Sequence, residues 1–129
     1  MTGAQFVKHW LHVGLVGLEG TKMSKSLGNL VFVSELVDRA EPAAVRLALL
    51  DQHYREDWEW RDELLSRAQS RLATWRTTLT TGRASDVLDD VRAALDDDLD
   101  SPGALRAMDE AAHAGFNVAP GASLLGITL

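Results

Sequence analysis

The 129-residue chain has no cysteine. It can close no disulfide and offer no thiolate to a metal, so neither a disulfide scaffold nor a cysteine–zinc centre can be built from its own residues. Long apolar runs are missing as well: none approaches the ~20 residues that cross a bilayer. No basic stretch followed by an apolar one marks the N-terminus for export. A cytoplasmic protein without membrane partners is the expectation. Basic charge is scarce too, with 13 Lys and Arg against 19 Asp and Glu and a net charge of −6. The imbalance concentrates late in the chain. Asp86, Asp89, Asp90, Asp96, Asp97, Asp98, Asp100, Asp109 and Glu110 face only Arg83, Arg92 and Arg106 there, and no Lys, Tyr or Trp follows Arg83. Nucleic-acid surfaces neutralise phosphates with basic side chains interleaved with aromatics. This stretch supplies neither, which argues against a nucleic-acid partner. No repeat or low-complexity segment is visible, and 46% apolar content suits one compact domain with a partial second.

What is present is concentrated in five residues. Lys22-Met23-Ser24-Lys25-Ser26 lies between Gly17-Leu18-Glu19-Gly20 and Leu27-Gly28-Asn29. Two ammonium groups flanking small hydroxyl residues suit a polyphosphate that accumulates negative charge, because lysine is a mobile point charge on a long stem. The Ser24 and Ser26 hydroxyls and neighbouring backbone N–H groups can add hydrogen bonds to phosphate oxygens. A solvated basic loop would have the same composition, so context decides. Val13, Leu15, Val16 and Leu18 read as a short strand entering a turn at Glu19-Gly20, and Leu30-Val31-Phe32-Val33 as an extended segment leaving the loop. A phosphate-gripping loop between extended segments is the form an α/β nucleotide site takes.

Around this loop the pattern is helical. Residues 4–12, with Phe6, Val7, Trp10 and Leu11 apolar, predict a turn or two of amphipathic helix. After Val33 the hydrophobic period changes from two to 3.6. Ser34 is a candidate N-cap for a helix over 35–40. Pro42 suits the first turn of a helix over 43–52 that is apolar on nearly every side. Residues 61–79 carry the stripe Leu64, Leu65, Ala68, Leu72, Trp75 and Leu79, ended by Gly82. Ser85 caps a helix with Val87, Leu88, Val91, Ala94 and Leu95, and Ser101-Pro102 opens the last, with Leu105, Met108, Ala112 and Phe116 and Gly115 at its close. The expectation is a mainly α protein: short strands and the lysine loop over residues 1–33, then a small antiparallel helical bundle over 34–129.

Other candidates read more plainly. His9 and His12 are spaced to share a metal but lack a Cys, Asp or Glu at ligand spacing, so no metal site is expected. His53 and His113 read as structural or exposed. Trp58 and Trp60 alternate with Asp57 and Glu59 in a short extended link, read as its anchor to the helices. Asp96-Asp97-Asp98 with Asp100 reads as a solvated face before a helix N-terminus, where carboxylates favour the dipole, against a divalent-cation alternative. Arg55 is left structural, able to approach the phosphate loop or pair with Glu56 or Asp57.

Lys-Met-Ser-Lys-Ser followed by Leu-Gly-Asn resembles the second signature of class I aminoacyl-tRNA synthetases. The preceding Trp10-Leu11-His12-Val13-Gly14 looks like their cysteine-activating branch. Residues 51–60, with Asp57-Trp58-Glu59-Trp60, and residues 95–102 are similar to the cysteine:glucosaminyl-inositol ligases of mycothiol biosynthesis, paralogues of cysteinyl-tRNA synthetase. The resemblance runs from Phe6 to Leu129 and falls on the C-terminal third of such enzymes. Their HIGH tetrapeptide and their cysteine and histidine zinc ligands are not in this sequence. The resemblance implies the C-terminal edge of a Rossmann-like catalytic domain followed by the bundle. It implies ATP with Mg2+ as cosubstrate, and Zn2+ in the full-length enzymes without ligands here. L-cysteine and glucosaminyl-inositol are the implied substrates, joined through a cysteinyl-adenylate. It carries catalytic roles to Lys22 and Lys25, and ATP or adenylate contacts to Val16, Lys22, Met23, Ser24, Lys25 and Ser26, with Gly20 and Gly28 helping the loop close and open. A fragment of cysteinyl-tRNA synthetase and a non-catalytic helical remnant are the alternatives.

Overall fold

Glu19 and Gly20 both take positive φ, 51° and 75°. Two successive left-handed residues make the tight turn whose twist matches that of paired strands. They join β1 (Val16–Leu18) to β2 (Thr21–Lys22), which pair antiparallel with Gly17 opposite Lys22 and Leu18 opposite Thr21. A third strand, β3 (Trp58–Glu59), adds in parallel on the other side of β1, giving a three-stranded sheet in the order β2-β1-β3. The computed structural model describes residues 6–129.

The rest is helical: α1 (Val33–Arg39), α2 (Pro42–Leu50), α3 (Asp62–Thr81), α4 (Val87–Asp96), α5 (Ser101–His113) and α6 (Ala119–Leu124). Pro42 occupies the first turn of α2, where its missing N–H costs nothing. Asp62 and Glu63 begin α3 at the positive end of its dipole, and Gly82 follows its last turn. The Asp100 carboxylate caps α5 by accepting from the Gly103 N–H at 2.8 Å. Trp75, Leu47, Leu72, Leu105, Met108, Val91 and Val118 are completely enclosed. One core runs through all the helices, and Val16, Leu18, Met23 and Val31 pack against its edge. A polar network crosses it. Arg71 reaches Asp51 at the end of α2 and Asp109 on α5, both at 3.0 Å, and the Trp75 Nε1–H donates to Asp109 at 2.9 Å.

Several expectations change. Ala4 and Gln5 lie outside the described residues, and residues 6–12 form no helix. Phe6, Trp10 and Leu11 are exposed, so no apolar face is buried to hold one. The extended segment read over residues 30–33 ends at Phe32, whose backbone is extended and which takes the N-cap position in place of Ser34, so that α1 starts at Val33. A four-residue apolar run fits either period, and packing of Leu36 into the core selects the helix. Helix α2 is less enclosed than its composition suggests: Ala44, Val45, Leu47 and Ala48 are buried but Leu49 is exposed. Asp86 occupies the N-cap position of α4, although Ser85 Oγ still accepts from the Val87 N–H at 3.4 Å. The sequence reading also stopped one helix short, at Gly115. The six-residue α6 adds Gly121 and Ala122 to the core, and Gly121 sits tightly against Met108 and Val91, where a Cβ would lie 3.1–3.4 Å from their side chains.

Candidate functional site

The five-residue motif starts on β2 and runs into the loop beyond it. Met23 donates its N–H to the Val16 carbonyl at 3.0 Å and tucks its side chain against the core. The loop is thereby pinned on its apolar residue while its cations stay outside. Leu27 N–H donates to the Ser24 carbonyl and to Ser24 Oγ, both at 3.3 Å, and Gly28 N–H to the Lys25 carbonyl at 3.3 Å. Gly28 closes the turn at φ 68°, a conformation glycine enters without a Cβ clash. The Ser24 and Ser26 hydroxyl oxygens are 3.2 Å apart. Lys22 and Lys25 are both exposed. Among the described residues neither has an ion-pair partner. Val16, Lys22, Met23, Ser24, Lys25 and Ser26 thus share one ribbon end.

Asn29 is the residue the sequence reading passed over. Its Oδ1 accepts from the Ser24 N–H at 2.9 Å, and its Nδ2 donates to the Lys22 carbonyl at 3.2 Å. One amide side chain therefore braces the backbone from Lys22 to Ser24, just ahead of Lys25. The signal was available, since an asparagine just after a turn glycine commonly bonds to neighbouring backbone.

The ribbon is mounted on residues 54–60. Gly14 N–H donates to the Tyr54 carbonyl at 2.7 Å, Leu15 N–H to Asp57 Oδ1 at 2.6 Å, Trp58 N–H to the Leu15 carbonyl at 3.0 Å and Trp60 N–H to the Gly17 carbonyl at 2.8 Å. Glu59 accepts from the Gly20 N–H at the hairpin tip and from Arg61 at 3.1 Å, and these two bonds hold its carboxyl below the usual range. Trp60, 5% exposed, anchors this strap in the core, with Trp58 half-buried 6.3 Å away. The anchoring reading of the two tryptophans holds, with strand pairing added to it. Arg55 pairs with Asp98 rather than with Glu56 or Asp57. Asp98 and Asp100 of the acidic run are engaged by Arg55 and by the α5 cap, while Asp96 and Asp97 are exposed. His9 and His12 are exposed too. No group of three or more His, Cys, Asp or Glu among the described residues is placed to hold a metal ion, and no described helix is long and apolar enough to cross a membrane.

The profile of the family described as "tRNA synthetases class I (C) catalytic domain" matches residues 1–70, from the start of the chain through the lysine loop and strap into α3. The chain belongs to this family. Curated relatives sharpen the resemblance. An L-cysteine:1D-myo-inositol 2-amino-2-deoxy-alpha-D-glucopyranoside ligase of Streptosporangium roseum is 52% identical over 126 residues, covering 93% of this chain and 31% of that protein. Ligases of the same name from Streptomyces griseus subsp. griseus and Thermobispora bispora are 56% and 47% identical, over 81% and 96% of this chain. The chain spans 26–34% of the length of these relatives. Lys22 and Lys25 are exposed on the loop that Asn29 braces, and Trp10, Leu11, Val13, Leu27 and Phe32 are exposed apolar residues of the same matched region.

Proposed function

We propose that this chain is the C-terminal part of an ATP-dependent ligase joining cysteine to the amine of glucosaminyl-inositol, a step of mycothiol biosynthesis. The observation that carries the reading is the Asn29-braced loop, on which Lys22 and Lys25 are exposed and have no ion-pair partner among the described residues. The relatives' shared name supports the choice of substrates. On this reading residues 1–33 are the C-terminal edge of a Rossmann-like nucleotide-binding domain and residues 34–129 an antiparallel bundle. The partners are small molecules and the location cytoplasmic.

The chemistry runs in two halves. The cysteine carboxylate attacks the α-phosphate of ATP, forming cysteinyl-adenylate as the bond to the departing pyrophosphate breaks. The acceptor amine then attacks the activated carbonyl, forming an amide and releasing AMP. Lys22 and Lys25 stabilise charge on the leaving β,γ-phosphates, aided by the Ser24 and Ser26 hydroxyls. Met23 and the Val16 backbone hold the loop at the adenylate's edge. Two exposed ammonium groups and a turn with donor hydroxyls fit a polyphosphate. The chain has no fitting ligand set for zinc, given its lack of cysteine and of any metal-spaced cluster among the described residues. No step is assigned through a metal.

The test is cysteine-dependent product formation by mass spectrometry, using the longest reading frame containing this chain. ATP is supplied, with glucosaminyl-inositol and cysteine tRNA offered in parallel. The expected product is the cysteinyl amide of glucosaminyl-inositol, with turnover falling by about 10²–10³ for Lys22→Ala or Lys25→Ala, as for other donors to developing charge. Charged tRNA alone would move the chain to cysteinyl-tRNA synthetase. No product with either acceptor would leave a non-catalytic helical remnant.

A further inference from the structure

The strap that carries the lysine ribbon is fastened at both ends, by different means. At its C-terminal end Trp60 is sunk in the core. At its N-terminal end three consecutive residues hook onto one turn between α4 and α5. Arg55 forks onto the Asp98 carboxylate, with Nε 2.5 Å from Oδ2 and the second nitrogen 2.8 Å from Oδ1. The Tyr54 hydroxyl donates to Oδ1 at 2.6 Å, and His53 Nε2 lies 3.2 Å from the Asp98 carbonyl. The Arg55 guanidinium also stacks over the Tyr54 ring at 5.0 Å.

This fastening is poorly suited to stabilising the fold. Both partners are about half exposed, 52% and 45% by side chain, and water screens such pairs. The turn itself is strained, with Asp98 at φ 52° and Leu99 at φ 57°, a left-handed pair of non-glycine residues that backbone sterics disfavour. What the arrangement does supply is direction. A planar fork onto a carboxylate, braced by a phenol, fixes orientation in a way a point charge does not. Its carrier is the strap, which pairs with β1 and grips the hairpin tip at Gly20.

We propose that Asp98 is a positioning residue: through Tyr54 and Arg55 it sets the pose of the β1–β2 hairpin, and with it Lys22 and Lys25, on the helical part. The proposal rests on the phosphate-loop reading above.

The experiment uses the 129-residue chain and two readouts. These are amide exchange at Met23, Trp58 and Trp60 relative to amides inside α3 and α5, and affinity for pyrophosphate. Asp98→Asn keeps the side-chain shape and tolerates left-handed backbone, so it removes the charge and one of the two acceptor oxygens without disturbing the turn. Exchange at the three ribbon amides is expected to rise roughly threefold to fivefold with α3 and α5 unmoved, and pyrophosphate affinity to fall by a similar factor. Arg55→Ala should match it, Arg55→Lys should recover part of the loss, and the Arg55→Ala/Asp98→Asn double variant should be no worse than either single. The proposal is overturned by ribbon amides that do not move, by amides that rise in step with α3 and α5, or by a loosened ribbon that binds pyrophosphate as before. If the unsubstituted chain fails to bind pyrophosphate, the phosphate-loop reading falls, before any variant is compared.

Discussion

Gly14 shows how much of the site depends on a single missing side chain. An ideal Cβ there would lie 1.9 Å from the Glu56 carbonyl oxygen and 2.3 Å from its carbon. The glycine of the Trp-x-His-x-Gly segment is therefore demanded by close approach of backbone to backbone. Gly14→Ala should push the strap off β1 and cost about 1–3 kcal/mol, the usual range for overpacking. Urea unfolding with amide exchange at Trp58 and Trp60 checks this, and an unchanged midpoint with unchanged exchange would show that the strap does not pass so close. At this scale the sequence was most legible where structure follows from consecutive residues, as in the turn at Glu19 and Gly20. It was least legible where partners are distant. Nothing local to Arg55 indicates Asp98, 43 positions on, and only the packed helices bring the two together.

The helices were legible because most of each predicted stripe is buried, although Leu79 at the end of the α3 stripe is exposed and Phe116 lies beyond α5. Leu65, Ala68, Leu72 and Trp75 on α3 and Leu105, Met108 and Ala112 on α5 are buried as the period required. The short elements were not, since a run such as Leu30–Val33 or the six residues of α6 is too brief for periodicity to outweigh tertiary contact. The strap is an element of this second kind, held partly by charge, and charge gives it a pH dependence. Arg55, then Tyr54, pull the Asp98 carboxyl down from its ordinary 3.8 to about 2. A depressed carboxyl stabilises the folded form fully above its ordinary value and loses that contribution as pH falls through the depressed one. Exchange protection of the strap should thus hold from neutrality down to about 3.8 and weaken between there and about 2. Glu59, Asp62 and Glu41 are lowered as well, by Gly20, Arg39 and Arg76 respectively, so the share due to Asp98 is the difference between the native chain and Asp98→Asn. An equal acid response in both would remove the Arg55 pair as its cause.

Over the whole molecule the surface is unevenly finished. Phe6 is 94% exposed, Trp10 74% and Val13 67%, and Leu15, Leu27, Phe32 and Val33 are open as well. Leu30, at the exit of the loop, is half-buried. Exposed apolar surface on this scale favours association. The isolated chain should self-associate or precipitate as its concentration rises, and a clean monomer in sedimentation velocity would count against that.

The parallel pairing of β1 with β3 also orders events in time. It closes a length of chain containing α1 and α2, and contacts so distant in sequence form after local ones. Synthesis delivers Lys22 and Lys25 before the strap that mounts them, and Asp98 later still. Within this stretch of chain, the loop bearing Lys22 and Lys25 is therefore made before the residues that hold it and is among the last parts to acquire its shape.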